Sequence, residues 1–130
     1  MAEFIPLRAD KRPLVSGWAD PDYHSTLEDA VLDSGGMVGL RCDDLVVIDL
    51  DSDEAIENWA AITGGTAEAY DTTIVKTPRG VHIYYAWSEG SPTGPMVGVF
   101  PNTDIRAGRG SYVVCPPSPG YTLLPRPPKT

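Results

Sequence analysis

Three stretches of the chain place two polar side chains at positions i and i+2: Asp49 and Asp51, His82 and Tyr84, Asp104 and Arg106. On a β-strand successive side chains point to opposite faces, so each pair shares one face. Three carboxylates, an imidazole and a guanidinium around one cleft make up the kit for handling a nucleoside triphosphate with divalent cations. Hard cations such as Mg²⁺ take carboxylate oxygens with phosphate and water rather than an all-protein cage. Two such ions about 3.5–4 Å apart activate an attacking hydroxyl and stabilise a leaving pyrophosphate. In that scheme Asp49, Asp51 and Asp104 hold the metals. His82 and Arg106 meet phosphate oxygens, Arg106 with its two-pronged fork. Arg79, on the turn just before His82, is a further candidate for the same task, and Tyr84 a packing residue.

Each residue also has a plainer use. Asp51 can open a solvated turn, with Ser52 and Asp53 free to cap the following helix. Asp104 and Arg106 can simply pair with each other. His82 can be a satisfied core histidine. The chemical reading rests on co-occurrence: the three pairs follow one another in β-rich stretches.

The elements that must position them centre on residues 45–51, LVVIDLD, a β-branched run that reads as a strand buried on both faces. Two anions at its end are costly unless a cation or hydrogen-bond donors meet them. Residues 37–41 form a preceding strand, joined to it across Asp43-Asp44 in a hairpin. Helical spacing predicts helices over 21–33, capped by Ser25 or Thr26 and ended by Gly35-Gly36, and over 54–62, capped by Ser52 or Asp53. Further strands are expected over 71–76, 81–87, 97–100, 103–106 and 111–115, with turns at 77–80 and 107–110. Trp18 reads as a core or rim anchor, Trp59 as core, His24 as surface, and Lys11 and Arg12 as solvated turn charges. Residues 1–120 form the core, and residues 121–130 a proline-rich tail or linker.

At 130 residues the chain is one domain. Apolar residues make up 42% and charged residues 22%, an ordinary globular balance. The net charge of −8 excludes binding nucleic acid by overall basicity, so any such contact needs a local patch, a metal or a partner. The two cysteines, Cys42 and Cys115, have no second Cys or His at ligand spacing, which argues against zinc. No stretch approaches a bilayer span and no secretory leader is read, so a cytoplasmic, membrane-free protein is expected.

The succession VIDLD at 47–51, TPRGVHIY at 77–84, DIR at 104–106 and YVVCPPS at 112–118 resembles the bifunctional primase-polymerase domain of plasmid and phage replication proteins, within the archaeo-eukaryotic primase superfamily. The opening is similar too, with KRP at 11–13 and GW at 17–18. The resemblance implies template-directed addition of nucleotides to DNA, often with primer synthesis, using two Mg²⁺ or Mn²⁺ ions in a bacterial or archaeal host cell. It places Asp49, Asp51 and Asp104 on the metal positions, His82 on the nucleotide-phosphate position, and Arg106 on an arginine that commonly follows the third carboxylate. The chain departs from the pattern in having Gly80 alone where two glycines often precede the His, and Gly110-Ser111 where Gly-Gly is frequent. No zinc-binding insertion is present. The implied partners are primer-template DNA, dNTP or NTP, and a helicase or helical accessory region in cis or trans.

The expected fold is therefore α/β (α+β): a mixed, mostly antiparallel sheet with two helices on one face and an acidic active site on the other. The competing functions are a metal-dependent nuclease or nucleotide hydrolase, and a non-catalytic nucleotide- or DNA-binding module that recruits a helicase.

Overall fold

The computed structural model describes residues 2–64 and 72–125. The elements run β1 (Phe4–Pro6), α1 (Leu27–Ser34), β2 (Val38–Leu50), α2 (Asp53–Ile62), β3 (Thr73–Lys76), β4 (Val81–Ala86), β5 (Met96–Phe100), β6 (Thr103–Cys115) and β7 (Thr122–Leu123). Among the described residues seven strands form one sheet in the order β5-β6-β2-β4-β3-β7, with β1 on the edge of β2 that β4 leaves open. Every pairing among the described strands is antiparallel.

The apolar run of residues 45–50 lies at the centre of this sheet. Val46, Ile48 and Leu50 point to one face, where Ala55, Ile56 and Trp59 of α2 pack on them together with Ile83 and Ala107. Full burial of each such side chain stabilises by roughly 1.5–3 kcal/mol. Val47 points to the other face, into a cluster with Ile5, Leu7, Val75, Tyr84, Val114 and Tyr121. At the far end of β2, Val38 and Cys115 sit opposite each other and meet Ala30 of α1. Their neighbours Ile5 and Val114, paired with Gly39, belong to the Val47 cluster instead. Helix α2 thus covers the Val46 face of the sheet, and α1 packs at the far end of β2; two helices among the described residues with a mostly antiparallel sheet are the α+β class expected.

Two expected turns are absent. Residues 37–51 do not fold into a hairpin: β2 is one strand of 13 residues. Asp43-Asp44 supplies no glycine or asparagine for a tight hairpin turn. Asp43 instead grips Arg41 on its own strand, Nε to Oδ1 at 2.6 Å and Nη2 to Oδ2 at 2.9 Å. The extra residues are absorbed as a bulge between Cys42 and Val46. Residues 107–110 likewise form no turn, because β6 continues through them to Cys115. Gly108 permits this: its φ is +84°, and a Cβ there would lie 2.2 Å from the Thr93 carbonyl oxygen.

Helix α1 begins only at Leu27, not at residue 21, because the Thr26 side chain caps it by accepting from the Asp29 N–H. Ser52 caps α2 through the Ala55 N–H. The strand expected over 71–76 is described from Thr73, and residue 71 lies outside the described residues. The chain stays in the sheet beyond residue 120, since Thr122 and Leu123 pair with Lys76 and Val75. Among the described residues no helix is long and apolar enough to cross a membrane.

Candidate active site

The register of the three central strands sets the geometry. Asp49 on β2 stands directly opposite His82 on β4 and, on its other side, directly opposite Asp104 on β6. Val47, two residues back, is flanked in the same way by Tyr84 and Arg106. Directly opposed side chains have Cβ atoms about 4.5–5.5 Å apart, so His82, Asp49 and Asp104 form one row across three strands. Asp51 follows on the same face, just past the end of β2, its N–H held by the Asn102 carbonyl at 2.9 Å. Asp49, Asp51, His82, Asp104, Arg106 and Arg79 all line one open cleft of about 500 Å³, a size usual for small-ligand sites. All six residues predicted for the site are brought together.

Each carboxylate faces a basic group. Asp49 Oδ1 is 3.4 Å from His82 Nε2, Asp51 Oδ2 is 2.6 Å from an Arg79 terminal nitrogen, and Asp104 Oδ2 is 3.2 Å from Arg106 Nη2. The other Asp104 oxygen accepts the Gly98 N–H at 2.7 Å. Among the described residues, no three His, Cys, Asp or Glu side chains are arranged to hold a metal ion. The row is nevertheless compatible with a divalent cation of the Mg²⁺ type, which needs only one or two carboxylates beside phosphate and water. A carboxylate has about four lone-pair sites, so each of these keeps accepting capacity. The Arg79 side chain is 76% exposed, and such surface pairs are worth at most about 1 kcal/mol, so Asp51 is readily released.

The imidazole is the most constrained group. His82 is 6% exposed and packs against the Tyr121 ring at 6.1 Å between centroids. Its Nδ1 is buried with no hydrogen-bond partner, as is the Ser111 hydroxyl on the same cleft wall. Buried polar groups without partners are rare and costly. Two of them beside one cleft fit a site built to receive a polar ligand. The Thr77–Gly80 turn carries Arg79 and leads into His82. It closes through Thr77 N–H to the Gly80 carbonyl and Gly80 N–H to Thr77 Oγ1, both at 3.0 Å.

Several lining residues were not predicted as functional. Trp18 and Lys11 both reach the cleft, as do Tyr112, Ser111 and Tyr121. Trp18 meets Tyr112 edge to face at 5.0 Å, and Lys11 Nζ lies 5.9 Å from the Tyr121 ring centre. The N-terminal stretch gave only one signal for this, the KRP and GW similarity at 11–13 and 17–18. Tyr84 packs in the core as expected, and burial pushes its hydroxyl pKa well up. Both cysteines are free and buried.

No curated protein matches the chain at a significant level. The family model for the N-terminal domain of bifunctional DNA primase/polymerases matches residues 2–129; with essentially the whole sequence covered, the chain belongs to this family, whose activity is the priming and polymerisation of DNA from nucleotides in replication.

Proposed function

We propose that the chain is a template-directed, divalent-metal-dependent nucleotidyltransferase, a DNA polymerase and primase of plasmid or phage replication. One observation carries this reading: His82, Asp49 and Asp104, far apart along the chain, stand side by side on one cleft wall. In this scheme Asp49, Asp51 and Asp104 are the ligand set for Mg²⁺ or Mn²⁺, which when bound neutralises the carboxylates and polarises the phosphoryl group. His82 faces the triphosphate from the cleft wall, its ring fixed by Asp49 through Nε2. Arg106 and Arg79 exchange their carboxylate partners for the triphosphate, keeping charge balanced as the ligand arrives. The substrates are a primed DNA template and dNTP or NTP, with a helicase or helical accessory domain in cis or trans supplying further DNA affinity.

Primer extension with Mn²⁺ tests the proposal. The parent protein extends a primer on its template, and Asp49→Ala and Asp104→Ala lose roughly 10²-fold or more in rate. Extension by either variant at the parental rate ends the assignment. Mn²⁺ also raises the parent's melting temperature, and Asp49→Ala removes the rise.

A second reading is favoured by the three acid–base pairs and by the lack of a three-ligand cluster among the described residues. In it the domain binds nucleotide or DNA without turnover and recruits a helicase. Binding then persists in both alanine variants, and the parent protein shows no extension.

A further inference from the structure

We propose that the turn from Arg8 to Pro13, together with Trp18, guides a single-stranded DNA template into the cleft. This rests on the nucleotidyltransferase reading above and assigns a path to its template strand.

The charge distribution is the first observation. The chain carries −8 overall, yet residues 8–18 hold Arg8, Lys11 and Arg12 against Asp10 alone. Asp10 is engaged within the turn, its carboxylate accepting the Arg12 N–H at 3.0 Å. The turn itself is firmly built. Arg8 N–H donates to the Arg12 carbonyl at 2.7 Å, Lys11 N–H to the Arg8 carbonyl at 2.9 Å, and the fully buried Leu7 bridges to Pro13.

The second observation is connectivity. A concavity of about 490 Å³, lined by Arg8, Asp10, Arg12, Pro13 and Ser16, lies beside the cleft, and Trp18 lines both; the Arg12 Nε stands 3.7 Å from Asp10 Oδ2 in a solvent-exposed pair that a phosphate can displace. Lys11 takes the left-handed conformation, φ +72°, which a non-glycine side chain adopts only when its surroundings impose it. That reversal sends its ammonium into the cleft, while Arg8 and Arg12 remain at the outer concavity. Tyr112 on β6 holds the turn to the cleft wall by donating its hydroxyl to the Lys11 carbonyl at 2.7 Å. Buried Arg41 fixes the Trp18 carbonyl at 2.8 Å.

A basic stripe punctuated by an anchored aromatic ring matches how proteins hold single strands. The cations follow the phosphates and the ring stacks on a base, without sequence preference. Here the stripe supplies the local patch that an acidic chain needs to meet DNA, and through Lys11 and Trp18 it ends in the cleft that holds His82, Asp49 and Asp104.

The test uses fluorescence anisotropy of the whole chain with a labelled oligo(dT) of about 12 nucleotides, titrated with salt. Each phosphate contact contributes about 0.7 to the slope of log K against log salt for a single strand, so the double variant Arg8→Ala/Arg12→Ala lowers the slope by about 1.4. Its affinity for a fluorescent dNTP in Mn²⁺ stays at the parental value. Trp18→Leu weakens oligo(dT) binding roughly tenfold at an unchanged slope, with circular dichroism verifying that it folds. An unaltered slope in the arginine variant, or a parallel loss of dNTP affinity, overturns the proposal, and so does tighter binding of a duplex with the same slope change. If the parent never extends a primer yet the slope falls as stated, the catalytic reading fails and the strand-binding groove stands. If extension proceeds with the slope intact, the groove fails alone.

Discussion

Gly80 is where the fold tolerates least. A Cβ built on it would lie 1.8 Å from the Leu50 carbonyl oxygen, 2.8 Å from the Leu50 carbonyl carbon and 3.2 Å from the Asp51 Cα. All three are backbone atoms at the end of β2, which is hydrogen-bonded on both sides and cannot give way. Gly80→Ala therefore forces the Thr77–Gly80 turn to lift by roughly 1 Å or more to restore ordinary contact distances. Overpacking of this kind costs about 3 kcal/mol, equivalent to a melting temperature lower by about 10 °C for a chain of this length. The lift parts Arg79 from Asp51 and carries His82, two residues on, away from Asp49. A misplacement of about 1 Å can cost roughly 10²-fold in rate. Thermal melts followed by circular dichroism and primer extension at varied dNTP measure both effects. Gly94→Ala, whose added Cβ meets nothing within 4 Å, is the control and behaves as the parent. A Gly80→Ala protein melting within about 2 °C of the parent and extending primers at the parental rate would refute the steric argument.

Two other outcomes follow from buried groups. Arg41 is 3% exposed and serves Asp43 and the carbonyls of Trp18 and Asp20; Arg41→Met leaves them unmet and costs about 3–5 kcal/mol, read from urea midpoints, and Arg41→Lys recovers little because an ammonium cannot reproduce the fork. Burial pushes the thiols of Cys42 and Cys115 up to about 12, so iodoacetamide labels neither in the folded protein near neutral pH. With the folded values above the ordinary 9.0, stability holds below pH 9.0 and falls as pH rises from there towards about 12, by up to about 1.4 kcal/mol per unit for each thiol. Melts at about pH 7 and about pH 10 measure the fall, and Cys42→Ala/Cys115→Ala flattens it.

Most of the framework was legible in local sequence. The β-branched run before Asp49 announced the central strand, and α2 with its Ser52 cap followed from apolar spacing and a hydroxyl at the boundary. Strand alternation put each polar pair on one face, because a period of two is a property of the extended backbone itself. The errors fell where a local signal competed with pairing. Asp43-Asp44 and residues 107–110 look like turns, yet both sit as irregularities in long strands, since pairing β2 with β6 over most of their length outweighs a break in either.

The sequence by itself determined which residues carry charge and that Asp49, His82, Asp104 and Arg106 stand on strands. Only the tertiary structure decided that Asp49 faces both His82 and Asp104, because register between strands distant in the chain depends on how two cores and two bulges close together. It also decided that Lys11 and Trp18, ordinary turn and rim residues by composition, reach the same cleft. Long-range packing of Leu7, Tyr112 and Arg41 brings them there, and no local pattern encodes those contacts.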